Sequence, residues 1–185
     1  MEKKINQRVL LTKRLIQEGL LRLLSAKKVE NINVSELCRE AGVNRATFYK
    51  HYFSPHDVLA EIEANIAKEL DSAQYRIVPK ESSTTVSRLE GVCTYLKDNA
   101  STVRLLVESK MDSDLSKVFQ GLPNDAILHI ENSSRFEAKG KSLVSCFLSF
   151  GLYSLIIKWL IEDMPLSPRD VAVLIDDLSR NGWIM

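Results

Sequence analysis

Between Asn33 and Tyr52 the chain carries two helix starts with one helix stop between them, close together along the sequence. Asn33-Val34-Ser35-Glu36 has the form of a capping box. The Asn33 side chain accepts from the first-turn amides while Glu36 reaches back to the cap. The helix it starts is short, Val34 to Ala41, with Val34, Leu37 and Ala41 facing inward. Gly42 stops it, because the turn needs a residue that tolerates positive φ. Asn44 then caps a second short helix, Arg45 to about Tyr52, which buries Ala46, Phe48 and Tyr52 and leaves Arg45, Thr47, Tyr49, Lys50 and His51 outside. From Thr12 onward, Leu15, Ile16, Gly19, Leu20, Leu23 and Leu24 repeat at helical spacing, with Lys13, Arg14, Gln17, Glu18 and Arg22 on the other side. That helix completes a three-helix unit.

Two short helices joined by a glycine-containing turn make a helix-turn-helix, whose second helix can lie in the major groove of DNA. The side chains suit that role. Arg45 and Lys50 can donate to guanine O6 and N7, and Thr47 suits base edges or phosphate. Tyr49 and His51 are phosphate donors. An ordinary amphipathic helix with a solvated face would show the same spacing, so charge is the next discriminator.

The formal net charge of the whole chain is +1, from 25 basic and 24 acidic side chains. Along the chain the balance is uneven. Residues 1–53 hold 11 basic and 5 acidic side chains, or +6, which leaves 14 basic and 19 acidic, or −5, for residues 54–185. A basic head on an acidic body points to the head as the part that meets a polyanion. A chance distribution of solvated charges is the alternative.

The rest of the chain reads as helix. Only 7 Gly and 5 Pro argue against a sandwich or barrel, and a hydrophobic fraction of 45% is ample for a core. Ser54 as cap, Pro55 at the first helical position and Asp57 at the third start a helix running to about Gln74. Further helices are expected over 86–99, 102–110, 115–119, 141–161 and 168–180. The fold class is all-α: a DNA-binding head over 1–54 and a helical regulatory and dimerisation body over 55–185.

Cys38, Cys93 and Cys146 are odd in number and far apart, which speaks against a disulfide framework or a zinc site. Free thiols fit the cytosol, and no signal-peptide h-region follows the charged N-terminus. The uncharged stretch from Ser142 to Ile157 is shorter than the roughly 20 residues a membrane span needs, so a cytoplasmic protein with no membrane contact is expected. Three His, no phosphate-binding glycine loop and no nucleophile elbow leave no catalytic site, metal or cofactor to assign.

The stretch Thr12 to Leu59 resembles the DNA-binding domain of the TetR/AcrR family of bacterial transcription regulators. The resemblance rests on the run from Ile32 through Ala41-Gly42-Val43 to Asn44-Arg45-Ala46-Thr47-Phe48-Tyr49-Lys50-His51-Tyr52. The Asn-Arg-x-Thr-Phe-Tyr-x-His-Tyr form is similar to a branch that includes regulators of dihydroxyacetone kinase operons. Phe150-Gly151-Leu152, Lys158-Trp159-Leu160 and Ser167-Pro168 resemble the regulatory domain of that branch. By position the resemblance implies that Arg45, Thr47 and Lys50 meet bases or nearby phosphates, while Tyr49 and His51 grip the backbone. Asn33 takes the place of a cap Thr that often touches phosphate, and Asn44 belongs to the same candidate set. The family commonly has a phosphate-donating Lys at the start of the fourth helix. Here Pro55 stands there, so that contact is lost or passes to His56 and the Ser54 hydroxyl. Losing one cation flattens the salt dependence of binding by roughly one unit of slope.

The resemblance further implies a homodimeric repressor on a palindromic double-stranded operator, paired through the helices at 141–161 and 168–180. It also implies release by a small apolar effector bound between about 62 and 160, where Met111, Phe119, His129, Phe136 and Tyr153 are candidate lining residues. The effector itself is unknown from sequence. The 141–161 helix is hydrophobic nearly all round and must be covered on more than one side. Its stripe Ser142, Ser145, Ser149, Leu152 and Ile156 allows a close helix neighbour. The alternative is a helical ligand-binding or interaction protein of the same fold that holds no operator.

Overall fold

Helix α1 spans Glu2–Leu24, so it starts well before Thr12. Over residues 7–15 no side chain is buried: Leu10 and Leu11 are 60% and 58% exposed, and burial begins at Ile16 and Leu20. Helical periodicity tracks burial, so it fell silent where the helix runs past its support. The computed structural model describes residues 2–108 and 137–181. Among these are eight α-helices and no strand. After α1 come α2 (Val34–Ala41), α3 (Arg45–Phe48), α4 (Pro55–Ala73), α5 (Thr85–Asp98), α6 (Ala100–Glu108), α7 (Ala138–Ile161) and α8 (Pro168–Asn181). The all-α expectation holds. The 115–119 segment lies outside the described residues, as do Met111, Phe119, His129 and Phe136.

Packing divides the described chain into two compact units, 2–65 with 105–108 and 66–104 with 137–181. In the first, α1 packs on α2 and α2 on α3. Gly19 makes the α1–α2 approach possible: a Cβ built there would meet the Ala41 Cβ at 3.0 Å and its backbone nitrogen at 3.1 Å. Ile16, Leu20, Leu37, Phe48, Val58 and Leu59 form the core, each at most 1% exposed.

In the second unit α5 lies mainly against α8, with α7 touching both. Here too a glycine sets the spacing, since a Cβ on Gly91 would fall 2.1 Å from the Ala73 carbonyl oxygen. Helix α5 opens with a reciprocal capping box, Thr84 accepting from the Ser87 amide at 3.1 Å and Ser87 Oγ from the Thr84 amide at 2.9 Å. The C-terminus of α7 is tied down by Arg104, whose Nε donates to the Leu160 carbonyl at 2.8 Å and whose Nη2 pairs with Asp163 at 2.9 Å. Asp163 and Met164 both take left-handed backbone, φ 58° and 55°. The Met164 amide is held on the Trp159 carbonyl at 2.9 Å, which fixes the turn into α8.

Helix α7 is wetter than its composition suggests. Leu148, Ser149, Leu152, Ile156, Trp159 and Leu160 are buried. The stripe of small residues therefore faces the interior of this chain from Ser149 onward. Leu143, Phe147 and Phe150 on the other side are 73%, 62% and 50% exposed, and Leu178 of α8 is 50% exposed. Between them runs an apolar groove of about 420 Å³ lined by Phe147, Leu148, Gly151, Leu152, Ile175 and Leu178. Length and composition alone would let the 23 residues from Lys139 to Ile161 cross a membrane. The uncharged stretch is thus shorter than the helix that contains it. Lys139, Lys141 and Lys158 had bracketed it in the sequence.

Candidate nucleic-acid interface

The first of the two sequence caps is half of what was expected. Asn33 Oδ1 accepts from the Glu36 amide at 3.0 Å, but the Glu36 carboxylate pairs with Lys27 Nζ instead of returning to the cap. A cation within reach outcompetes a backbone amide for a carboxylate. Gly42 does end α2 in left-handed backbone, φ 67°, with the Val43 amide closing on the Cys38 carbonyl at 2.9 Å. Asn44 Oδ1 accepts from the Thr47 amide at 2.7 Å and starts α3.

Regular α-helix then lasts only from Arg45 to Phe48, shorter than the expected run to Tyr52. The Lys50 and His51 amides reach back three residues, to Thr47 and Phe48, so the winding tightens. Tyr52 drives this: it turns inward, 3% exposed, and its ring stands 5.9 Å from that of fully buried Phe48. Ala46, expected inside, is exposed. With one helical turn and two aromatic anchors, the inner face is filled without it.

Arg45, Tyr49 and Lys50 are exposed, and Thr47 and His51 half-buried, all on this one turn. Arg45 lies over the Tyr49 ring, 5.9 Å from its centroid, with Nη2 3.4 Å from the phenolic oxygen. Stacking restrains both long side chains before any ligand arrives. Asn33, Asn44 and His56 are exposed as well. The two asparagines have their carboxamide oxygens committed to capping.

Beneath the turn is a polar brace that the sequence did not announce. Lys13 Nζ donates to both Glu61 oxygens at 2.9 Å and lies 5.3 Å from the centre of the Tyr52 ring. Gln17 Nε2 donates to the Tyr52 hydroxyl at 3.3 Å, and that hydroxyl also bonds to Glu61. Burial alone would raise the Glu61 carboxyl. The bonds from Lys13 and Tyr52, and the charges of Lys13 and His51, hold it below its ordinary value. Burial and the Glu61 bond push the Tyr52 phenol up. The one available signal was the spacing of Lys13 and Gln17, four apart on the polar side of α1.

At the start of α4 the sequence expectation holds. Ser54 Oγ accepts from the Asp57 amide at 3.3 Å, and Asp57 Oδ2 accepts from the Phe53 and Ser54 amides, each at 2.9 Å. Two amides that could have gripped a phosphate are thus taken by a carboxylate of the chain itself. Elsewhere, no group of three or more His, Cys, Asp or Glu among the described residues could hold a metal ion. Cys38 and Cys93 are buried and Cys146 exposed, and burial pushes the Cys93 thiol up to about 12.

Comparison with known proteins extends the picture. A TetR-type family profile described as "Transcriptional regulator C-terminal region" matches residues 84–181. The chain is similar to the uncharacterized HTH-type transcriptional regulator YxbF of Bacillus subtilis (strain 168), 32% identical over 84 residues. That match spans 44% of this chain and only 22% of the relative's length. Among solved structures, a TetR transcriptional regulator from Streptococcus agalactiae 2603V superposes with a TM-score of 0.74 at 18% identity, covering 97% of this chain and 99% of that one. The dihydroxyacetone kinase operon activator DhaS gives 0.57 at 17% identity over 91% and 93%. At such identities these two likenesses speak for the fold alone. The profile, which takes in α5, α6, α7 and α8, speaks for the family: the chain belongs to the TetR family of transcriptional regulators.

Proposed function

We propose that the protein is a homodimeric repressor that holds a palindromic double-stranded operator and is released by a small apolar effector in the cytoplasm. Residues 1–54 serve as the DNA-binding head and 55–185 as the effector-binding and dimerisation body. The observation that carries this reading is the recognition turn, where Arg45, Thr47, Tyr49, Lys50 and His51 share one outward surface on the head, whose net charge is +6. Arg45 and Lys50 read bases, Thr47 a base edge or phosphate, and Tyr49 and His51 the backbone. Asn33, Asn44 and His56 flank that surface as phosphate contacts.

Dimerisation is supported by the apolar face of α7 and α8, because large contiguous apolar patches mark interaction sites. Two copies related by a two-fold axis would present recognition turns one helical turn of DNA apart, about 34–36 Å, to a site of roughly 15–30 base pairs. An effector that favours another spacing shifts the population away from the DNA-competent state. Half-buried Tyr153 is the one candidate pocket residue within the described part of the chain.

Selection of bound fragments from the source organism's genomic DNA at about 50 mM salt tests the reading. A palindromic consensus is the expected result, with transcription from the adjacent promoter falling when the protein is added. Rising transcription would make it an activator. Pro55, set where a phosphate-gripping Lys is common, favours a second reading, a helical ligand-binding or interaction protein without an operator. No enriched sequence would establish that one.

A further inference from the structure

Phe53 is the most exposed large hydrophobic side chain among those described, at 85%, and it directly follows Tyr52, which is 3% exposed. The chain here alternates: one aromatic anchors the turn from inside and the next projects from it. Phe53 cannot fold back at little cost, because its own amide and that of Ser54 are held on the Asp57 carboxylate at 2.9 Å. A single exposed ring is common on a protein surface, but this one is held in place, and covering its apolar area is favourable. Here the loop continues the recognition turn, directly after Lys50, His51 and Tyr52.

Resting on the DNA-binding reading above, we infer that Phe53 makes an apolar contact to operator DNA at the edge of each half-site. The partner surface is a thymine methyl or a deoxyribose face. The chemistry of the loop favours this over an anion contact. Its two free-standing amides are already spent on Asp57, whose charge repels phosphate. A duplex offers one kind of surface that neither needs those amides nor is repelled, the apolar patches of methyls and sugars. Phe53 thus takes the place of a cationic clamp at the start of α4, and affinity from this corner of the interface does not depend on salt.

The test uses the full-length protein and the site enriched from genomic DNA. Binding is followed by fluorescence anisotropy at several salt concentrations for the wild type, Phe53→Ala and Phe53→Leu. In parallel, p-benzoylphenylalanine placed at position 53 is photo-crosslinked. Phe53→Ala should bind about tenfold more weakly, the scale expected for losing a buried aromatic contact. The slope of log Kd against log salt should stay unchanged, since no cation is lost. Phe53→Leu should recover most of the affinity, and the cross-link should form to DNA within or beside a half-site. An operator with uracil in place of the single thymine nearest the cross-link separates the two surfaces: only a methyl contact makes the wild type lose affinity while Phe53→Ala does not. Wild-type binding with Phe53→Ala within twofold of it, or a cross-link to protein instead of DNA, overturns the inference and leaves the DNA-binding reading intact. A wild type that binds no DNA removes that reading and this inference together.

Discussion

Around the recognition turn the outward side chains are, Phe53 apart, Arg45, Tyr49, Lys50 and His51, polar or charged groups that water solvates well. On α7 and α8 they are Leu143, Phe147, Phe150 and Leu178, groups that water solvates poorly. The two surfaces ask for different partners. Charged and polar groups lose solvation when covered, so they associate where a polyanion repays that loss and counterions are released. Apolar groups gain by being covered at all. The charge split follows the same division, +6 over residues 1–53 and −5 over the remainder. A polyanion is drawn to the first and repelled by the second, while the second also presents an uncharged apolar face.

The strongest way to break this contrast is to charge the apolar face. Phe147→Glu should leave the protein monomeric at micromolar concentration by sedimentation. Operator affinity should fall by about 10²–10⁴, because the second half-site no longer binds as an intramolecular event. An unchanged mass would mean the face serves something other than self-association. Next in size is Arg45→Ala, expected to cost about 1–3 kcal/mol on the cognate site and little on random DNA. Equal losses on both would place Arg45 on the phosphate backbone and weaken the idea that this turn reads sequence.

Two glycines sharpen the comparison of the interiors. Gly91→Ala sets a Cβ 2.1 Å from a carbonyl oxygen, and the backbone must move. A loss of about 1–3 kcal/mol is expected. Gly19→Ala meets the Ala41 Cβ at 3.0 Å, where a smaller shift suffices, so its fall in Tm should be clearly the lesser. The reverse order by calorimetry would show that the head is the more tightly packed region.

The smallest effect belongs to the brace. The Glu61 carboxyl titrates below its ordinary 4.5, so near that pH the folded head binds fewer protons than the unfolded chain. Its contribution to stability is complete above about 4.5 and disappears as pH falls through the folded value. Glu61→Gln should lower Tm at neutral pH by no more than about 4 °C, corresponding to at most about 1 kcal/mol for a part-exposed pair. It should also flatten the acid limb of the Tm–pH curve; an unchanged limb would remove Glu61 from the acid response.

Where local chemistry decides local structure, the sequence could be read directly. Asn33, Gly42, Asn44 and the Ser54–Asp57 pair each act on residues within four positions, and each does what its type predicts. The outward set on the recognition turn was legible for the same reason. The brace was not, because Lys13 and Glu61 meet across 48 residues and nothing local distinguishes them from solvated charges. Ala46 was misplaced because an α3 of four residues has too little inner face for a third anchor.

The sequence by itself determined the all-α class, the helix-turn-helix, the order of its caps and the division of charge, since all of these follow from short-range hydrogen bonding and side-chain type. Only the tertiary structure decided which side of the nearly all-apolar α7 is covered within the protomer, that Lys27 takes Glu36 from its cap, and that Phe53 is left outside while Tyr52 goes in. Those outcomes depend on which surfaces compete for the same contact, and that competition exists only once distant segments are brought together.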